Sequence, residues 1–287
     1  MLALLVVALW WRCGRQAAVS LGTFNIRTFM DTHTDPRAVA AALVELDADA
    51  FAVQEIRDIE PFERVVADAG ARLGRDYAAT LMPYCDAYQG RPIYLGVVVD
   101  RARLERVGQR WFADGERCAP GQPSGMLVVL GGQDGRRFAL ASVHMKAGGA
   151  PQDHAVRRRQ WGWLTAALPR WMAELGAPVV VVGDFNSTGY LQVDSDERRF
   201  IDRTLAEHQL QLPTGGLDCT EYWQDEPGHY AVSLLDHVLA PEVLTFTEPR
   251  VLGMCAALAC EPQERAPDGF DEVSDHCPVK IALVDGT

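Results

Sequence analysis

The sequence predicts an α+β fold in which two sheets pack face to face with helices outside. Three observations carry this expectation. Period-two apolar runs and helical stripes are mixed in the first half of the chain, whereas strands dominate the second. That order favours packed sheets over one doubly wound parallel sheet. The 287 residues are 48% apolar, enough to bury a large core, and no linker, repeat or low-complexity segment divides them. Several apolar runs also end in a carboxylate, amide or imidazole, the pattern found where loops converge over a rigid floor.

The N-terminal stretch MLALLVVALWW, before Arg12, is entirely apolar. It is shorter than the roughly 20 residues a spanning helix needs, and it matches a signal-peptide core in length. No basic leader precedes it. Residues 1–16 therefore read as a signal or anchor segment, with a lipid on Cys13 or an extra buried segment as the alternatives, and residues 17–287 as one domain. An extracytoplasmic or secreted location is favoured. Cysteine usage leans the same way. Setting Cys13 aside leaves Cys85, Cys118, Cys219, Cys255, Cys260 and Cys277, an even number compatible with disulfides and without C-x-x-C spacing. Cys277, at the entry to an apolar strand, reads as a buried thiol. The pairing is left open.

AVSLGTFNI, from residue 17, reads as a strand. In DPRAVAAALVEL, Asp35 can cap a helix, Pro36 suits its first turn, and Val39, Leu43 and Leu46 share a face. DAFAVQEI is a short buried strand reaching Glu55, followed by a helix over about 59–73 with Phe62, Val65, Val66 and Ala69 on one stripe. Strands are expected near 76–82, 92–99, 126–131 and 137–144. A long helix over 152–175 carries Val156, Trp163, Leu164, Ala167 and Trp171 at helical spacing. A valine strand, a polar helix around 195–208, and strands in LLDHVLA, VLTFTEPRVLG and PVKIALV complete the chain.

The valine strand poses the functional question. VVVVGDFNST, residues 179–188, runs from four valines to a carboxylate and an amide. Gly183 permits a sharp exit and Phe185 turns inward. Period-two alternation then sets Asp184 and Asn186 on one side if the strand persists. Asn25, Glu55, His144, Asp236 and the pair Asp275 and His276 likewise sit at the ends of apolar runs. For any one of them a turn, cap or structural hydrogen bond is the commoner explanation. Their recurrence is harder to explain that way. The net charge of −12 excludes a DNA-coating protein, which would present a basic surface. It does not exclude phosphate-ester chemistry, because divalent ions can supply positive charge locally. A serine hydrolase lacks its G-x-S-x-G elbow.

TFNIRTF around Asn25, VQEIRD around Glu55, SVHMKAG around His144, VVVGDFNS around Asp184 and Asn186, LDHVLA around Asp236 and SDHCPV around Asp275 and His276 follow one another in that order. Together they resemble the endonuclease/exonuclease/phosphatase superfamily, the deoxyribonuclease-I-like fold, over about residues 19 to 284. The resemblance implies a four-layer α/β/β/α sandwich whose two mainly antiparallel sheets open onto one metal-dependent phosphodiester site. It implies that Glu55 binds Mg2+ or Mn2+, with Ca2+ as a further candidate, and that Asp275 and Asn25 lie nearby. Asp184 and Asn186 would orient and activate the attacking water. His276 would pair with Asp236, and His144 would contact phosphate or protonate the leaving oxygen.

Deoxyribonuclease-like members support that second histidine with a glutamate, but YQGRPIY, up to Tyr94, offers none. Tyr94 matches a phosphate-contacting tyrosine of some relatives, and Lys146 is a candidate phosphate contact. The arginines at 157–159 are about 100° apart around a helix and read as a solvated surface, with Arg157 alone near the cleft rim. The implied function is a divalent-metal-dependent phosphodiesterase using direct water attack, an endonuclease on DNA or RNA. The alternatives are a phosphomonoesterase or phospholipid-headgroup phosphodiesterase, and a non-catalytic binding protein. The last would show decay at Glu55, Asp184 or His276, and all three are retained. A long exposed aromatic hairpin would favour a lipid substrate. EYW at 221–223 is the one candidate for it and reads equally well as ordinary strand core. A monomer without an obligate protein partner is expected.

Overall fold

A computed structural model describes residues 18–30, 33–85, 90–112 and 118–285. The expected N-terminal segment and Cys13 lie outside the described residues. The chain begins with β1 (Val19–Phe29), α1 (Pro36–Leu46), β2 (Ala50–Ile56), α2 (Ile59–Leu73), β3 (Tyr77–Pro83) and β4 (Tyr94–Asp100). It continues through β5 (Leu104–Trp111), β6 (Ser124–Gly132), β7 (Arg137–His144), α3 (Pro151–Leu175), β8 (Val179–Asp184) and α4 (Asp196–His208). The last part holds β9 (Leu210–Gln211), β10 (Glu221–Glu226), β11 (His229–Ser233), β12 (Asp236–Pro241), β13 (Thr245–Phe246), β14 (Arg250–Val251), α5 (Gly253–Ala257) and β15 (Val279–Asp285).

One sheet runs β13-β15-β1-β2-β4-β3, with β14 also on β15, and the other runs β5-β6-β7-β8-β12-β9. Each has one parallel pair, β1 with β2 and β7 with β8, and both are otherwise antiparallel. The valine run shows why the layers form. Val180 and Val182 enter the core between the sheets beside Leu140 and Ile281, whereas Val179 and Val181 pack outward against Leu164 of α3. A strand buried on both faces needs no polar alternation. On the other sheet Phe24, Phe51 and Val53 face α1 and α2, meeting Leu43 and Phe62. Each such side chain taken from water contributes about 1.5–3 kcal/mol. The result is the four-layer sandwich.

Asp35 caps α1 as expected, its side chain accepting from Arg37 N–H at 2.8 Å. Two local expectations are corrected and one strand is added. Cys277 is no free thiol but pairs with Cys255, alongside Cys85–Cys118 and Cys219–Cys260. The run VLTFTEPRVLG is not one strand: β13 and β14 are two residues each, with Pro249, which lacks an N–H to donate, between them. Finally, β5 had no sequence signature, because this edge strand exposes most of LERVGQRW.

Candidate active site

Strand register gathers the polar strand ends at one rim. In the second sheet His144 lies opposite Asp184, and Asp184 opposite Asp236. In the first, Asn25 and Glu55 stand on adjacent strands, and Asn25 Nδ2 donates across the gap between sheets to Asp184 Oδ2 at 3.0 Å. The SDH loop closes the ring. Ser274 Oγ donates to the Asn25 carbonyl at 2.8 Å and accepts from His276 N–H at 3.1 Å, fixing Asp275 and His276 beside β1.

Gly183 does more than ease the exit of β8. A Cβ there would sit 2.1 Å from the Val143 carbonyl, so only glycine lets β8 lie this close to β7. Phe185 turns inward onto Trp161 and His237. The polar pair meets by a different route from strand alternation, since β8 ends at Asp184 and Asn186 is left-handed, φ +51°. Asp184 Oδ1 accepts from Asn186 N–H at 2.8 Å, folding the backbone back so that Asn186 Nδ2 also reaches Asp184 Oδ2 at 3.0 Å. Glu55 is left-handed as well, φ +63°, at a register shift in β2 that aims its side chain at the rim.

Asp184 is the centre of the cluster. Its Oδ2 lies 3.3 Å from His144 Nε2 and 3.8 Å from His276 Nε2. Burial alone would raise its pKa, but His144, His276 and the Asn186 N–H outweigh it and hold Asp184 at about 2. Burial would lower His276, yet Asp236 at 2.8 Å, Asp184 and Glu221 hold it well above the ordinary imidazole value. His144 is likewise raised, against burial, by Asp184 and Glu55. The rim thus presents two imidazoles biased toward the cationic form around a carboxylate that stays ionised.

Two residues that the sequence reading did not single out for the site stand beside it. Tyr84 Oη accepts from Glu55 N–H at 2.9 Å and lies 2.7 Å from His144 Nδ1, so a tyrosine supports the ring for which no glutamate was found. Its position just past an apolar strand is the signal that could have singled it out. Glu221, at the start of the β10–β11 hairpin, has its Oε1 3.8 Å from His276 Nε2. Burial, with Asp275, Asp184 and Asp236 nearby, pushes it up to about 8 despite His276. No apolar alternation marked that hairpin.

Other expected contacts are revised. Arg157 does not face the cleft and is no part of a solvated surface: it is 0% exposed and forks onto both oxygens of Glu197 at 2.6 and 3.2 Å. It also holds the Lys146 and Gly148 carbonyls and Thr188 Oγ1, so it ties together the loops that follow β7 and β8. Tyr94 packs into the layer between the first sheet and its helices, and Tyr84 stands at the rim instead. Lys146 reaches the cleft wall with its Nζ 3.2 Å from Asp153.

The family model described as the endonuclease/exonuclease/phosphatase family matches residues 22–276. The chain belongs to this family. No curated protein sequence matches it. Among solved structures it is similar to an endonuclease/exonuclease/phosphatase family protein from Bacteroides thetaiotaomicron, with TM-score 0.65, 16% identity, and coverage of 94% of this chain and 99% of that one. A mannosyl-6-phosphatase from the same species gives 0.63, 16%, 93% and 100%. D. rerio TDP2 complexed with a single-strand DNA product gives 0.59, 12%, 93% and 99%. At these identities the likeness shows the fold. Endonuclease/exonuclease/phosphatase proteins are phosphoesterases that typically use divalent metals.

The donors of the rim fit such an ion. Among the described residues no group of three His, Cys, Asp or Glu side chains is preassembled as a cage. Mg2+, however, keeps several waters and needs only one or two carboxylates. Glu55 and Asp275 are the carboxylates within reach of the mouth, each with a side chain 21% exposed. Burial raises Asp275, and the nearby Glu55 adds to it, a crowding of negative charge that a cation relieves. Asn25 brackets the two sheets beside these carboxylates. Its Nδ2 donates to Glu55 and Asp184, and its Oδ1 accepts from Arg27 N–H.

Proposed function

We propose that the chain is a divalent-metal-dependent phosphodiesterase that cleaves P–O bonds by direct water attack, with DNA or RNA as substrate. The observation that carries this reading is Asp184 Oδ2 standing 3.3 and 3.8 Å from two imidazoles. Glu55 and Asp275 would hold Mg2+ or Mn2+, which supplies positive charge to the phosphate oxygens. Asp184 orients the water with Asn186 and accepts the proton that becomes strongly acidic as the water oxygen bonds to phosphorus, balancing the proton that His144 gives up. His276, kept cationic by Asp236, stabilises charge building on the phosphate. His144 donates its Nε2 proton to the leaving oxygen, a step worth about 10²–10⁴ in rate. Tyr84 fixes that ring from the Nδ1 side. Three disulfides support an oxidising, extracytoplasmic location. No described helix is long and apolar enough to cross a membrane.

A second reading, a phospholipid-headgroup phosphodiesterase, is favoured by Trp223, which is 44% exposed on the hairpin that begins with Glu221. The test offers purified protein plasmid DNA, RNA, sphingomyelin and bis(4-nitrophenyl) phosphate, with Mg2+ and with EDTA, beside Asp184→Ala. Nucleic-acid cleavage lost in EDTA and in the variant is expected. Cleavage that survives both rejects the mechanism, and cleavage of lipid alone overturns the substrate.

A further inference from the structure

We propose that the cavity beside His144 is a nucleoside-binding subsite that holds the leaving-group side of the substrate. The inference rests on the proposed function and adds to it a chemical class. The cavity measures about 590 Å3 and is lined by Glu55 and His144 as well as by Ile93 and Val156. It also contains two glutamines, Gln122 and Gln160, each only 7% exposed.

The orientation of both amides is fixed. Gln122 Oε1 accepts from Ala119 N–H at 2.7 Å, and Gln160 Oε1 accepts from Lys146 N–H at 2.9 Å. A carboxamide has one acceptor end and one donor end. With both acceptor ends taken by backbone, the Nε2 groups are the ends left for a ligand, and neither has an acceptor among the described residues. Both Nε2 groups stay open to the cavity and are not sealed in the interior, so a ligand that enters meets two ready donors.

The frame that holds them is stiff. Cys118 is tied to Cys85, next to Tyr84. The turn that follows presses on α3 so closely that a Cβ at Gly121 would lie 3.0 Å from Arg159 Cβ. This brings Gln122 of the turn against the helix that carries Gln160.

Two fixed donors in a partly apolar slot select a flat ring bearing acceptors. Nucleobase carbonyls and ring nitrogens fit that description, with the ring faces against Ile93 and Val156. A sugar ring fits less well, because it offers no flat face to Ile93 and Val156 and no in-plane acceptors to the two amide donors. The end of the cavity at His144 is where the proposed function places the leaving oxygen, so the nucleoside beyond that oxygen enters the slot.

The experiment has two arms. Equilibrium binding of a nucleoside monophosphate and of a hexose phosphate is measured in EDTA for the wild type, Gln122→Glu, Gln160→Glu and Val156→Trp. Steady-state hydrolysis of a dinucleoside monophosphate and of bis(4-nitrophenyl) phosphate is measured in Mg2+ for the same proteins. Each glutamate keeps the acceptor end and replaces the donor with an oxygen, while Val156→Trp fills the slot without altering either amide. The nucleotide should bind the wild type at least about tenfold tighter than the sugar phosphate, and each variant should lose about that factor. In hydrolysis the KM for the dinucleotide should rise at least about tenfold more than that for the synthetic diester. Equal losses on both substrates, nucleotide binding indifferent to all three changes, or tighter binding of the hexose phosphate overturns the subsite. A wild type that hydrolyses neither substrate but binds nucleotide through the glutamines overturns the proposed reaction and supports the subsite.

Discussion

Tyr84 links the two halves of the rim through a single oxygen. It accepts from Glu55 N–H, and it offers its own proton to a neutral His144 Nδ1 or takes one from the protonated ring. Tyr84→Phe keeps the ring volume and removes that oxygen. Stability should fall by about 1–3 kcal/mol in urea unfolding, because Glu55 N–H loses its acceptor. The kinetic effect should depend on the leaving group. A histidine that protonates the leaving oxygen matters for a sugar alkoxide and little for 4-nitrophenolate, so kcat should drop at least about tenfold on a dinucleotide and less on bis(4-nitrophenyl) phosphate. An equal drop on both would show that Tyr84 does not act through the acid. Residues such as Glu55, Asp184 and His276 were legible in the sequence because each stands at the mouth of an apolar run. Tyr84 has the same placement, but a tyrosine is also ordinary sheet core, and nothing local told it from Tyr94. Glu221 was not legible, since its neighbours Trp223 to Glu226 are exposed and follow no pattern.

At the level of elements, α3 and α4 do more than cover a sheet. Arg157 and Glu197 join the two helices, and Arg157 also gathers the 146–148 and 188 loops that follow His144 and Asp184. Helix geometry showed correctly that three successive arginines fan out. Which of them turns inward was decided by a carboxylate forty residues further on, bonded to Gly189 N–H as well, and no local pattern reports that. Glu197→Gln leaves the guanidinium buried without its anion and should cost about 3–5 kcal/mol by denaturant unfolding. Arg157→Lys keeps the charge but cannot fork onto two oxygens and two loops, so kcat should fall while the fold persists. A lysine variant with full kcat would reduce the clamp to a stability element. Elements buried on both faces, β8 above all, were the easiest to read. The edge strand β5 and the β10–β11 hairpin are set by pairing with strands distant in sequence or by the turn between them, and their solvated faces hide the period.

For the whole molecule, the order of strands and helices was enough to predict the sandwich, while the registers and disulfides that fasten its C-terminal end were not. Its response to acid is set by groups that folding buries, and His237 is the clearest of them. The ring is fully buried between Phe185 and Tyr190, 2.9 Å from Ser187 Oγ and 3.3 Å from Thr214 Oγ1. Burial, against the pull of Asp184, lowers it to about 3 from an ordinary 6.5. Above pH 6.5 neither state holds the proton, so the group is silent. Between 6.5 and 3 the unfolded chain binds a proton that the folded chain refuses, and stability falls as pH falls, by up to about 1.4 kcal/mol per pH unit from this group. His144 and His276, raised in the fold, favour the native state in acid, which is why a wild-type curve alone would not isolate the effect. The difference between wild type and His237→Asn does isolate it. The variant should be less stable at pH 8 through lost packing, and the gap should narrow steadily from pH 6 to pH 4 in urea titrations. A gap of constant size across that range would mean that His237 takes up its proton without opening the fold.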